Sequence, residues 1–305
     1  MSAIPTITRR QRSANWRAML WTAPALAFYA VFALVPLLVA VYLSFVRWDG
    51  ISQATWVGLK NWAGLFSDGV TGHAIVLSIE IMLLSWILET PFSLLIGVFL
   101  AGPQRYRALL GIFYFVPLLF STVAIGITWI SLLDPNFGLI DILLKSIGAS
   151  SLAQGWLGRP NLAFYVVTCV IAWQFIPFHA LLYLAGARQI PHSLYEAAQI
   201  DGAGTFSKFF SITLPQLRYT IVTSTILILT GALTYFDLIW VMTQGGPGFA
   251  TRILPLQMYI VAFQNQQVGY GSMLAVLLAV SGIVLSLVLL RASGFTKMTS
   301  QLEGL

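Results

Sequence analysis

Apolar residues gather along the chain into six runs, near 19–46, 74–101, 108–133, 162–186, 220–243 and 273–291. Each is close to or above the roughly 20 residues that carry a helix across a bilayer core. Lipid offers backbone groups no hydrogen bonds, so each run predicts a membrane-spanning helix. The expected fold class is an all-α integral membrane protein with six transmembrane helices. Between the third and fourth runs, the loop 134–161 contains an apolar stretch of helical pattern at 138–147. It is expected to lie along the membrane surface. No internal repeat is visible.

Composition sharpens this picture. Apolar residues make up 58% of the 305 positions and charged residues only 9%. That is far below the roughly 25% charged content of soluble domains, too little to cover a water-facing surface of this size. The net charge of +6 points to orientation and not to nucleic acid, because Lys and Arg collect in cytoplasmic loops. With the N-terminus inside, Arg9, Arg10, Arg12, Arg17, Arg105, Arg107, Arg188, Lys208, Arg218, Arg291 and Lys297 fall on the inner side. Arg47, Lys60, Lys145, Arg159 and Arg252 fall outside. The bias places both termini in the cytoplasm, which needs an even number of spans. Residues 1–18 then form a basic cytoplasmic tail, 19–291 the membrane domain and 292–305 a second tail. The first apolar run is much longer than the roughly 7–15 residues of a cleaved signal core, so it reads as an uncleaved span. Cys169, the only cysteine, lies inside an apolar run and reads as a packing residue.

The inner loop 187–219 is unlike the others. It has room for two short helices. Ser193 and Glu196 fit a capping box. Leu194, Ala197, Ala198 and Asp201 then share one helical face. Gly202 and Gly204 can end the first helix and turn the chain. Thr205 can cap the second, and Pro215 breaks it before the fifth span.

Glu196-Ala197-Ala198, three residues, Gly202, nine residues, Ile212, one residue, Leu214-Pro215 resembles the EAA loop of type I ABC importer permeases. The neighbouring Ile190-Pro191, Leu194-Tyr195 and Asp201-Gly202-Ala203, with the run from Phe236 to Pro247, are similar to the carbohydrate-uptake branch, the maltose and glycerol-phosphate type. The resemblance covers roughly residues 20–290. It departs from the enterobacterial maltose subunit, whose additional N-terminal spans and large outer domain have no counterpart here.

The resemblance implies a subunit in a prokaryotic cytoplasmic membrane that moves a sugar by alternating access. It implies a second homologous permease, two cytoplasmic ATPase subunits and an extracytoplasmic solute-binding protein as partners. It assigns Glu196, Ala197, Ala198, Asp201, Gly202, Ile212, Leu214 and Pro215 to ATPase coupling. The chain has no phosphate-binding loop of the G-x-x-x-x-G-K-[S/T] kind, so ATP and magnesium are expected on the partner ATPases. No enzyme chemistry is expected either. His73, His179 and His192 lack metal-ligand spacing, and no nucleophile–base set is visible.

Two further groups are candidates. Trp173, Gln174, Phe178, Tyr235, Asp237 and Trp240 flank the inner loop and mix aromatic faces with polar groups, as a sugar path requires. The family places substrate contacts here, although Ile171 and Ala232 stand where it carries polar residues. Gly245, Gly246, Pro247 and Thr251 form an outer turn expected to help dock the binding protein. Glu80 and Glu89 are intramembrane carboxylates, which are costly. They are expected to be structural, with Glu89 satisfying backbone freed by a kink at Pro91. An ion-coupled secondary transporter is the alternative, but it would leave the inner-loop motif unexplained.

Overall fold

The computed structural model describes residues 21–293. The basic tail with Arg9, Arg10, Arg12 and Arg17, and the C-terminal tail from 294 on with Lys297, lie outside the described residues. Two compact units divide the chain, one of residues 21–64 and 261–276, the other of 65–260 and 277–293.

The first unit opens with helix α1 (Trp21–Leu43), whose apolar side chains are largely exposed. A short antiparallel hairpin follows, β1 (Val46–Arg47) with β2 (Thr55–Trp56), pairing Val46 with Trp56. Helix α2 (Lys60–Gly64) is clamped to it by Asn61, whose Nδ2 donates to Ser44 O and Val46 O, both at 2.9 Å.

In the second unit, two long helices form the frame: α3 (Gly69–Leu100) and α7 (Pro160–Arg188). Between them come α4 (Arg105–Tyr114), α5 (Thr122–Leu132) and α6 (Leu139–Ser146). After α7 follow α8 (His192–Ile200), α9 (Thr205–Gln216), α10 (Arg218–Ala232), α11 (Asp237–Thr243), α12 (Leu254–Tyr259) and α13 (Val268–Ala292). The start of α13 belongs to the first unit.

Close approach of α3 to α7 depends on Gly97. A Cβ there would sit 2.5 Å from Ala180 O and 2.7 Å from Tyr183 Cβ. Small residues that let backbones meet are how helices pack where lipid is as apolar as the interface. The outer stripe of α3 carries Val76, Ile79, Leu83, Ile87 and Leu95, all exposed. A run of bare apolar side chains along one helix marks a surface meant for lipid or protein and not for water.

Among the described residues, α1, α3, α7 and α13 are each long and apolar enough to cross a membrane. The pair α9–α10, bent by 67°, is a fifth candidate. The third apolar run, 108–133, is not one helix. It breaks after α4 into a 3-10 turn, Val116–Leu119, and resumes at α5. Pro117 has no N–H to continue the ladder, and Ser121 restarts it by accepting from Ala124 N at 3.2 Å. The fifth run is broken too, between α10 and α11. In the loop 134–161 the expected helix forms as α6, and it is amphipathic. Its buried Asp141 accepts from Trp156 Nε1 at 2.7 Å.

Candidate functional site

The break between α10 and α11 opens a cavity of about 410 Å3. Phe175, Phe178, His179 and Ile171 of α7, Leu227 and Ile228 of α10, and Leu118 and Thr122 from the broken third run line it. Thr234, Tyr235, Phe236 and Asp237 of the break complete the wall. Phe175 stacks on Tyr235 with centroids 5.7 Å apart. Asp237 is exposed at the first position of α11, where the helix dipole favours negative charge.

Behind the cavity lies a buried polar cluster. Glu89 of α3 is fully buried. Tyr235 Oη donates to Glu89 Oε1 at 3.2 Å, and His179 Nε2 lies 3.6 Å from Oε2. The other imidazole nitrogen, Nδ1, bonds Ser224 Oγ at 3.0 Å. The expectation that Glu89 serves a kink at Pro91 is therefore corrected. Ser93 Oγ bonds the Glu89 carbonyl instead, and the carboxylate is turned across to α7 and the break. Glu80 accepts from Tyr165 Oη at 3.1 Å, a structural tie.

Of the six residues expected along the path, Phe178, Tyr235 and Asp237 meet at the cavity. Trp173 is exposed and makes an edge contact with Trp129. Gln174 is buried and donates to Thr122 Oγ1 at 3.0 Å, one step behind the wall. Trp240 packs on Phe236 and Tyr259. Sequence reasoning missed His179 and Thr122 as lining residues. A histidine inside an apolar run, with Glu89 inside another, was the available signal for His179.

The loop 187–219 folds largely as its motif suggests, with two corrections. Helix α8 begins at His192 with Pro191 as N-cap and no side-chain cap bond. Ser193 is thus already inside the helix, and the expected capping box with Glu196 does not form. Thr205 likewise opens α9 behind Gly204 and caps nothing. The C-terminal end matches its expectation. Gly202 takes φ +79°, with Gly202 N donating to Gln199 O at 3.1 Å and Ala203 N to Ala198 O at 2.8 Å. This is a Schellman stop, which needs the left-handed backbone that glycine adopts without strain. Pro215 lies in the last turn of α9, and the chain bends beyond it, at Leu217.

The loop is two-faced. Tyr195, Ile212 and Leu214 pack inward on Leu94, Tyr183, Ile190 and Leu217, and Tyr195 Oη bonds Thr213 Oγ1 at 2.9 Å. Glu196, Ala197, Asp201 and Gly202 face out, Ala198 is half-buried, and Pro215 is exposed. Beside them Ile200 is 88% and Phe206 82% exposed.

A family model described as binding-protein-dependent transport system inner membrane component matches residues 93–293. The chain belongs to this family. It is the membrane permease subunit of an ABC importer, and ATP hydrolysis belongs to separate subunits. Relatives include the probable ABC transporter permease protein YurN of Bacillus subtilis, 32% identical over 88% of this chain and 92% of the relative. The trehalose/maltose transport system permease protein MalF of Thermococcus litoralis is 32% identical over 90% and 92%. The diacetylchitobiose uptake system permease protein NgcF of Streptomyces coelicolor is 32% identical over 85% and 77%. The permease shares its fold with a chain of a bacterial alginate ABC transporter, at TM-score 0.82 and 21% identity, covering 95% of this chain and 99% of that one.

At the other end of α11, the permease turns through Gln244, Gly245, Gly248 and Phe249, all at positive φ, around a cis Gly246–Pro247 bond. Thr251 is buried. It bonds Thr243 Oγ1 at 2.7 Å and donates to Gly246 O at 2.9 Å. It therefore holds the turn from within and offers no contact to a docking partner, contrary to the sequence expectation. Arg252 stacks on Phe249 with its guanidinium carbon 4.5 Å from the ring centroid, and partial burial lowers its pKa.

Proposed function

We propose that this permease moves a sugar or sugar-like solute across a prokaryotic cytoplasmic membrane. The carrying observation is the cavity beside the α10–α11 break. Aromatic faces of Phe175, Phe178 and Tyr235 suit the C–H faces of a sugar, while Thr122, Thr234 and Asp237 offer hydroxyl and carboxylate partners. Relatives named for trehalose/maltose and diacetylchitobiose uptake support the same class.

In this reading six crossings are made by α1, α3, α4 with α5, α7, α10 with α11, and α13, within a membrane domain of 19–291. Both termini face the cytoplasm. A second homologous permease completes the path. Two ATPase subunits, carrying ATP and magnesium, dock on the outward face of α8 around Glu196, Ala197, Asp201 and Gly202, while Ile212 and Leu214 anchor that segment to the spans. A solute-binding protein docks at Gly245, Gly246 and Pro247. The permease favours its outward-open state only when ATP and loaded binding protein act together, a two-state coupling.

The test is uptake of radiolabelled di- and oligosaccharides by the reconstituted transporter. Phe178→Ala and Asp237→Asn should each lower uptake while leaving ATPase recovery unchanged. Full uptake in both variants would remove the cavity from the path.

A further inference from the structure

We infer that a second cavity, at the inner ends of α3 and α7, is a binding site for a phosphate group. The cavity has a volume of about 450 Å3. Four elements each bring one basic side chain to it: Arg107 from α4, Arg188 from the last turn of α7, His192 from α8 and Lys208 from α9. No Asp or Glu lines it. Glu196 and Asp201, the carboxylates of the same segment, face out and lie elsewhere. Among the described residues no carboxylate comes within ion-pair distance of Arg107, Arg188 or Lys208.

Three permanent positive charges on the lining of one cavity, with no carboxylate in ion-pair reach, repel one another, and a bound anion lowers that cost. Arg107 is already fixed for the task. Its Nη1 donates to Phe99 O at 2.6 Å, and its guanidinium lies over the Phe99 ring at 4.6 Å. Apolar walls, Val98 and Phe209, stand beside the charges. This combination fits a phosphate carried on an apolar stem, at the level where two long apolar helices end. Basic pockets between spans on the cytoplasmic side bind anionic headgroups in this way. An occupant ties α8 and α9, the coupling segment, to the ends of α3 and α7. A free inorganic phosphate satisfies the same charges and leaves the apolar walls unused.

This inference rests on the cytoplasmic placement of α8 and α9, but its test does not. The full-length chain, purified in neutral detergent, is mixed with phosphatidylglycerol or phosphatidylcholine, and bound lipid is counted by native mass spectrometry. In parallel, its thermal midpoint is read in inorganic phosphate and in chloride at equal ionic strength. Arg188→Gln with Lys208→Gln should lower phosphatidylglycerol retention about thirtyfold, given two lost basic contacts. Arg105→Gln with Arg218→Gln removes the same charge outside the cavity and should retain the lipid. Arg188→Lys with Lys208→Arg should restore it and so separates lost charge from misfolding. Protection by phosphate alone, lost in the first variant with lipid retention unchanged, makes the occupant free phosphate. Equal lipid retention and equal phosphate response in all forms overturns the site. A failed orientation would show instead as labelling, from outside intact cells, of a single cysteine placed at Ser207, with these binding results intact.

Discussion

The cavity wall and the inner loop treat polar residues in opposite ways. At the wall, Glu89, His179, Tyr235, Ser224, Gln174 and Thr122 bind one another across four stretches of chain. In the loop, His192, Ser193, Glu196, Gln199 and Asp201 hold no side-chain hydrogen bond among the described residues, and Ile200 and Phe206 stand bare beside them. The wall closes mostly on itself, with Glu89 Oε2 and Gln174 Oε1 left buried without a hydrogen bond. The loop is firmly rooted through Tyr195, Ile212 and Leu214 and is left to be completed by something else. One region is therefore sensitive to changes in packing, and the other to changes in what docks on it.

The largest expected effect is at Gly202. A Cβ there meets nothing within 4 Å, so only the positive φ resists substitution inside this chain. That strain costs about 1–2 kcal/mol for an ordinary residue. Asp, like Asn, adopts the left-handed backbone more readily than other residues, so Gly202→Asp should act chiefly through the charge it adds to the exposed face of α8 and, if the ATPases dock there as proposed, should lower coupled uptake severalfold. Gly202→Asn, which tolerates the left-handed backbone, should recover part of it. Both are read by uptake and by recovery of the ATPase in detergent. Equal and full activity in both would end the coupling role of the loop.

Glu89→Ala should act on the opposite side of the comparison. It leaves the Tyr235 hydroxyl without its buried acceptor and removes the carboxylate beside the His179 ring, at a cost of about 1–3 kcal/mol. The thermal midpoint of the purified permease should fall while ATPase recovery stays normal. Loss of the ATPase with an unchanged midpoint would reverse the assignment of the two regions.

How far the sequence could see follows the same division. Gly202 was legible because a glycine after a short periodic segment has a local physical reason. The helix start was not, because Ser193 and Glu196 carry the capping signature while Pro191 is the N-cap, two residues earlier. The breaks at Pro117 and between α10 and α11 were hidden because hydropathy averages over a span and stays high through Leu118, Leu119 and Phe236. The Glu89–His179–Tyr235 cluster joins three separate runs, and no local pattern announces such a meeting. Thr251 read as a docking residue because it follows the glycine turn at the end of the fifth run, but burial follows from the turn that its own hydroxyl closes.

Smaller effects sharpen the outer and inner surfaces. A Cβ at Gly246 would lie 3.3 Å from Thr243 O. Gly246→Trp should therefore weaken, without abolishing, the stimulation of ATPase activity by loaded binding protein. Unchanged stimulation and uptake would leave the turn a purely structural feature. Glu196→Gln should be the mildest change. With no capping box to disturb, α8 is unaffected, and any loss reports an ion pair with the partner, worth about 0–1 kcal/mol if exposed and more if buried. A changed helix content would contradict the geometry of Pro191.

Sidedness tests the central claim most directly. Cys169 is first replaced by serine, and single cysteines are placed at Ser207 and Gly248, with further sites at Arg107, Gln53 and Ser151. An impermeant thiol reagent is applied to intact cells and to inverted vesicles. The account predicts that position 207 is labelled only in inverted vesicles and is shielded when the ATPase subunits are present, while position 248 is labelled only in intact cells. Labelling of position 207 from outside would contradict the orientation, and with it the assignment of the inner loop to the ATPases.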